Sequence, residues 1–430
     1  MVNKVSTYLK KDPYKIVFYI TLSALLLFTI LLGILTRGRV FESLLFYNQT
    51  DTFMDYFNSL MGVVARNPYD LGIIYPPLAN LIYLINVHLI PTDYFIGDLS
   101  ALTYSDTRLY QGYLIVFIIY SLISILAFIF ICQNMKKGEN AEKNIFVLLM
   151  LFSTPFFYCF ERGNIIFLAL IFSMLFFLWK DSDNKILREL SLIALAISAA
   201  IKIYPAIFGF LLIREKRWKE GVRLVFYGLF FFFVPFIFFG GFSKVFTLIE
   251  NIFHTSSEFA ISTFSYKLNF ANTLGWLFQN NISSGIVSVF IIAMGCFGII
   301  GCIILKSKWK AILFCVVMVI GLPSFSYVYT AIFMVIPLIY FLDTKEKRGK
   351  LDMVYLILMI LTVAFIFIDC FIYRGNYNSH ISISTMIESM ALLLMSFLLV
   401  GDTIKEILEY FLAKRNKKIN KNKEIINENS

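Results

Sequence analysis

Charge is the scarcest ingredient of this chain. Only 15% of its 430 residues are Asp, Glu, Lys or Arg, and only three are histidine. Soluble domains carry roughly a quarter charged residues, so an ordinary globular protein is excluded. There is no glycine-rich phosphate loop, no HExxH and no GxSxG, which removes P-loop nucleotide chemistry, zinc-protease chemistry and serine-hydrolase chemistry. The six cysteines (Cys132, Cys159, Cys296, Cys302, Cys315 and Cys370) lie in or beside apolar runs, with no CxxC among them. That pattern argues against a disulfide framework or a zinc site and reads as small core hydrophobes.

What is abundant is apolar length. Hydrophobic residues make up 59% of the chain, and the mean hydropathy is +0.77. Several runs approach the ~20 residues needed to cross a hydrocarbon core. The first, residues 15–35, is long for a signal peptide and lacks a small-residue cleavage site, so it reads as an uncleaved anchor. Further spans are expected near 113–132, 144–159, 165–179, 189–201, 203–213, 224–240, 285–304, 311–322, 328–342, 351–373 and 386–400. The expected fold is therefore all-α, a polytopic transmembrane helical protein of about 11–13 spans. It forms a single membrane unit over residues 1–402, followed by a basic tail over 403–430.

The net charge of +10 does not point to nucleic acid. Basic residues fall in short clusters between apolar runs, namely NMKKGENAEK, KDSDNKILR, REKRWKEGVR, KSKWK and DTKEKRGK, and in the tail AKRNKKINKNK. Such clusters mark cytoplasmic loops. Threaded that way, both termini are cytoplasmic in an integral plasma-membrane protein. Two long loops, about 36–112 and about 241–284, then face outward with the short turns ERGN, PSFSYVY and YRGNYNSHIS. Residues 189–201 and 203–213 meet at KIYP, the pattern of a broken or re-entrant hairpin, which is tolerated only where backbone lines protein or a wet cavity. Any chemistry is expected at the outer face.

Within the first outer loop, YNQTDTFMDYFN carries Asp51 and Asp55 four residues apart, on one face if the stretch is helical. One reading is a helix start that favours acids near its positive end. The other is a general base that takes a proton from a hydroxyl nucleophile. Downstream, Tyr75-Pro76-Pro77 blocks a helix and then lets one begin. Arg162 and Lys202 stand at outer ends of spans, against the positive-inside bias, where they either snorkel or bind an anion at membrane depth. Arg374 and His380, with Lys267 and His254, are weaker candidates of the same kind, and Asp369 and Glu388 are candidate partners for these cations.

Taken in order, an acid in the first loop, NPY, YPPL, a GN at the end of a later hairpin, and K-x-YP before REKRW resemble the polytopic GT-C glycosyltransferases. The nearest likeness is to glycosyltransferase family 87, with its polyprenyl-phosphate-mannose-dependent mannosyltransferases. It covers roughly residues 45–220. The resemblance implies a catalytic base at Asp51, 17 residues before Pro68. Thr52 and Asp55 depart from the usual pattern there and keep Asp55 as the alternative. It also implies that Arg162, Asn164, Lys202 and Tyr204 line a lipid-phosphate-sugar site; Tyr75 and Pro76 of YPPL and the weaker candidates Arg374 and His380 are counted with them as substrate-binding residues. The implied reaction is inverting transfer of a hexose, mannose first, from a polyprenyl-phosphate donor to a glycolipid or cell-envelope glycan acceptor. Membrane lipids are the remaining partners, and nucleic acid is not one. No cofactor is expected, and no compact ligand cluster supports a divalent cation. The rival readings are a polysaccharide polymerase or ligase acting on lipid-linked units, and a non-enzymatic lipid-linked sugar transporter or flippase.

Overall fold

The computed structural model describes residues 12–43, 52–64, 67–89, 108, 111–259, 266–278, 282–364, 371–373 and 380–428. It is built almost wholly from helices: α1 (Pro13–Leu35), α2 (Met54–Val64), α3 (Pro77–His88), α4 (Gln111–Met135), α5 (Asn140–Leu151), α6 (Thr154–Arg162), α7 (Ile166–Trp179) and α8 (Lys185–Ile201) come first. They are followed by α9 (Phe210–Arg214), α10 (Trp218–Phe233), α11 (Lys244–Phe259), α12 (Phe270–Leu277), α13 (Ser284–Ile304), α14 (Lys308–Gly321), α15 (Val335–Asp343) and α16 (Asp352–Val363). A two-stranded antiparallel ribbon, β1 (Phe371–Tyr373) and β2 (His380–Ser382), leads into the long α17 (Ile383–Glu428).

Each apolar run expected to span coincides with a helix, except that 351–373 is helical only over α16 and carries β1 at its far end. Among the described residues, five helices are long and apolar enough to cross a membrane: Pro13–Leu35, Gln111–Met135, Trp218–Phe239, Ser284–Ile304 and Ile383–Arg415. The pair α5 and α6 is apolar enough to count as a sixth if taken together, as a broken span or a re-entrant loop bent by 54°. The bend falls where Pro155 enters the first turn of α6, a position proline tolerates at a helix start and not inside one. Four further apolar segments, including α7 and α16, run only 10–17 residues. The segment Val328–Asp343, for example, is buried at nearly every position, and so is the neighbouring α14 from Ala311 to Gly321. α17 runs through residue 402 and into the basic segment without a break.

Local signals explain the boundaries that matter for function. Asp12 caps α1 by accepting from the Tyr14 amide, with Pro13 in the first turn. α2 begins at Met54, after Phe53 in a left-handed conformation (φ 62), and places Asp55 in its first turn. Asp51 itself lies outside the described residues. α8 stops at Ile201, Lys202 turns extended (φ −140, ψ 126), and a 3-10 turn over Tyr204–Gly209 with Pro205 leads into α9. The chain thereby doubles back, from Asn184 beside α7 up to Lys202 and down to Glu215, which bonds Lys180. The expected hairpin at KIYP is present.

The helices arrange the polar residues at two ends. Lys136 reaches Glu142 and Asp343, Lys308 reaches Asp181, Lys310 reaches Asp402, and Lys306 reaches Glu409. These contacts gather the five basic inter-helix clusters on one end of the bundle. The turns holding ERGN, YPP and KIYP meet at the other.

Candidate active site

At that second end, α2, α6, the start of α7 and the KIYP corner converge on the Asp55 carboxylate. Asp55 lies in the first turn of α2. Arg162 Nη2 donates to its Oδ1 at 2.6 Å, and Asn164 Nδ2 donates to its Oδ2 at 2.7 Å. Both oxygens are thus engaged by groups more than a hundred positions along the chain. Both side chains of the ion pair keep some access, 20% for Arg162 and 17% for Asp55.

The fold explains why these groups are held in place. The Phe53 amide donates to the Glu161 carbonyl at 2.6 Å, tying the entry of α2 to the last turn of α6. Gly163 ends α6 in the left-handed region (φ 63), where a side chain is strained. Space is tight there too, because a Cβ would meet Tyr56 Cβ at 3.0 Å and Phe117 at 3.1 Å. Asn164 then works in two directions. Its Oδ1 accepts from the Ile166 amide at 2.9 Å, which opens α7, while its Nδ2 is left to face Asp55. The ERGN motif is therefore a helix stop, a tight turn and a helix start folded around one carboxylate.

Tyr75 and Lys202 complete the cluster. The Tyr75 hydroxyl lies 3.4 Å from Asn164 Nδ2, and Lys202 Nζ stands 4.1 Å from the centre of the Tyr75 ring. Burial, reinforced by the nearby Asp55 charge, pushes the Tyr75 phenol well above its ordinary range, so it stays neutral. Cations over tyrosine faces gain roughly 0.5–2 kcal/mol, more when desolvated. Pro76 is buried and precedes α3, whose first residue is Pro77. Tyr204 opens the 3-10 turn beyond Lys202, within electrostatic reach of Asp55.

Of the residues singled out in the sequence, Asp55, Tyr75, Arg162, Asn164, Lys202 and Tyr204 come together, with Pro76 fixing the turn beside them. Arg374 lies outside the described residues, as does Asp369. His380 opens β2 opposite Tyr373. The expectation that Glu388 pairs with one of these cations is not met. Its two carboxylate oxygens are buried without a hydrogen-bond partner among the described residues, because α17 packs it into the bundle.

Further residues stand at this end, of which Lys267 was a weaker sequence candidate and the others were not singled out. Arg108 Nη1 donates to the Thr52 carbonyl at 2.8 Å, holding the segment ahead of Asp55. Lys267, buried and lowered by burial to about 8, forms an antiparallel bridge with Tyr327. Tyr158 of α6 stacks on Tyr329 (5.9 Å, 17°), which stacks on Tyr327 (5.7 Å, 29°). The tyrosine density of FFYCFERGN and PSFSYVY is the trace of this wall in the sequence.

Among the described residues, no group of three or more His, Cys, Asp or Glu is placed to hold a metal ion. What the site does offer is a partly accessible carboxylate flanked by two cations, an amide and neutral phenols, at one end of an all-α polytopic membrane protein. The chain belongs to glycosyltransferase family 87, whose model matches residues 73–326. It is a membrane glycosyltransferase, with sugar donor and acceptor substrates. The matched region holds Tyr75, Arg162, Asn164, Lys202 and Tyr204, and Asp55 lies ahead of it. No curated protein and no solved structure matches the chain.

Proposed function

We propose that the protein transfers a hexose, mannose first, from a polyprenyl-phosphate donor to a glycolipid or cell-envelope glycan acceptor, at the extracytoplasmic face and with inversion. The observation that carries this reading is the Asp55 carboxylate, held by Arg162 and Asn164 with Lys202 alongside. In the reaction the acceptor hydroxyl oxygen attacks the anomeric carbon from the face opposite the phosphate. The C1–O bond to phosphate breaks, its electron pair leaves with the lipid phosphate, and the acceptor proton passes to Asp55. Arg162 and Lys202 supply positive charge where the leaving phosphate becomes more negative. Tyr75 and Tyr204, as neutral phenols, offer hydrogen bonds to sugar hydroxyls without adding charge.

The lipid-linked character of the donor draws support from a groove beside the KIYP corner. It has a volume of about 440 Å³, and Ala199, Ala206, Gly209, Gly221 and Gly228 keep it open. A Cβ at Gly221 or Gly228 would meet nothing within 4 Å, so no packing within the protein requires glycine at either position. Each glycine costs roughly 1 kcal/mol in a helix interior relative to alanine. The sidedness rests on the gathering of the basic clusters at the opposite end.

The test is transfer by the purified protein from radiolabelled polyprenyl-phosphate hexoses, run beside nucleotide-linked hexoses. Label is expected in a product of inverted anomeric configuration from the lipid-linked donor alone. Transfer from the nucleotide sugar, or movement of lipid across vesicles with no transfer from any donor, would sink the reading.

A further inference from the structure

A second cavity, of about 680 Å³, opens at the far end of the bundle. The 14-residue helix α7 separates it from the Asp55 site, a distance of about 20 Å. It lies where the last turns of α4, α7 and α15 splay away from the first turn of α14. The floor is apolar, formed by Phe177, Leu178 and Ile339 with the ring of Tyr340, and the rim is charged.

The charges on that rim are not evenly committed. Each of its carboxylates is engaged through both oxygens. Asp343 accepts from the fully buried Lys136 ammonium at 2.5 Å and from the Lys137 amide at 2.7 Å. Asp181 takes Lys180 and Arg217 on one oxygen and Lys308 on the other. Glu346 accepts from the Ser307 hydroxyl and from the Lys308 amide, at the positive end of α14. The lysines are a different case. Among the described residues, neither the Lys137 nor the Lys345 ammonium has a carboxylate partner, and both line the cavity. Asp181 and Asp343 are paired with cations and Glu346 is held by two hydrogen bonds, which leaves the Lys137 and Lys345 ammonium groups available above an apolar floor.

We infer that this cavity binds a phosphate group, held by Lys137 and Lys345, whose organic remainder rests on Phe177, Leu178 and Tyr340. The site is separate from sugar transfer and serves no step of it. A polar rim over an apolar floor at the end of a membrane bundle fits the headgroup of an anionic phospholipid. A small soluble phosphate ester shares the same chemistry.

The experiment uses the full-length protein in bilayer discs of phosphatidylcholine and follows its thermal unfolding midpoint. Phosphatidylglycerol is titrated in one arm and glycerol 3-phosphate in the other. The variants are Lys137→Ala with Lys345→Ala, and, as a control at the same end, Lys347→Ala with Lys350→Ala, both exposed and outside the cavity. Wild type and the control pair should be stabilised alike, and the Lys137/Lys345 pair should need about thirty-fold more probe for the same rise. A response to the lipid alone assigns a headgroup, and a response to both arms assigns a soluble phosphate. The inference is overturned if neither probe shifts wild type, if the Lys137/Lys345 pair responds as wild type does, or if the control pair loses as much.

Discussion

Both ends of the bundle hold charge, and they hold it in opposite ways. At the basic end, cations from one inter-helix loop close onto acids from the next. Lys180, with no side-chain exposure, sits between Asp181 and Glu215, and Lys136 sits between Glu142 and Asp343. At the other end the charges are few. Asp55 has one cation and one amide, while Lys202 has the face of Tyr75. The first arrangement leaves little for a substrate to gain, because burying charge is tolerated only when it is fully paired. The second leaves a carboxylate with partial access and a cation set against an aromatic ring, so an incoming anion or hydroxyl finds groups ready to receive it. The contrast separates charge that joins helices from charge that is available to chemistry.

The strongest way to break this comparison is at Asp55. Asp55→Asn keeps the shape and a hydrogen-bonding group but removes the base, and transfer should fall by about 10²–10⁴-fold, the contribution of a positioned general base. The unfolding midpoint should stay close to wild type, since Arg162 retains partial access and the asparagine oxygen still offers the buried Asn164 amide an acceptor. Asp51→Asn, measured beside it, should keep most of the activity. Turnover above a tenth of wild type in Asp55→Asn would remove the carboxylate from the mechanism. The mirror experiment is Lys136→Met. Removing this buried cation leaves Asp343 with the Lys137 amide alone, while Glu142 keeps Lys15, and should cost roughly 3–5 kcal/mol of stability. Transfer per folded molecule should not change. If turnover fell and stability held, the roles assigned to the two ends would be reversed.

How much of this was legible beforehand depends on the range of the interaction. The helices follow from apolar runs, and the gathering of basic clusters follows from their positions between those runs. The ERGN and KIYP elements were visible because their constraints are local: a left-handed glycine, a capping asparagine and a proline after an extended lysine. The pairing of Asp55 with Arg162 was not visible. Spacing favoured Asp51, which lies outside the described residues, and the position of Asp55 depends on where α2 starts, after the positive φ of Phe53 and its bond to the Glu161 carbonyl. Lys202 was legible as a misplaced cation, but its contact with Tyr75 is made through space across 127 positions and leaves no mark in the sequence. The tyrosine wall joins Tyr158 to residues 327–329 and has no period at all.

Gly163→Ala sharpens the comparison by affecting both readouts at once. The alanine must adopt a left-handed conformation, at about 1–2 kcal/mol, and its Cβ presses on Tyr56 and Phe117. Because Arg162 and Asn164 flank this residue, the displacement should reach the hydrogen bonds to Asp55. A drop in midpoint accompanied by a several-fold loss of turnover is expected, where Lys136→Met lowers the midpoint alone. An unchanged turnover would mean that the ERGN turn is packing and not positioning.

The smallest effect is expected at Lys306, whose ammonium lies 2.7 Å from Glu406 and 3.0 Å from Glu409. By distance this is as good an ion pair as those around Lys136, and a count of salt bridges would treat them alike. Its side chain is 71% exposed, however, so water already solvates the charge and salt screens it. Lys306→Ala should therefore leave both the unfolding midpoint and transfer unchanged within measurement scatter. Raising the ionic strength should lower the midpoint of neither protein relative to the other. A clear loss of stability in Lys306→Ala would show that pairing at the basic end is held together by number of contacts and not by burial, and the distinction drawn between the two ends would then rest on the Asp55 cluster alone.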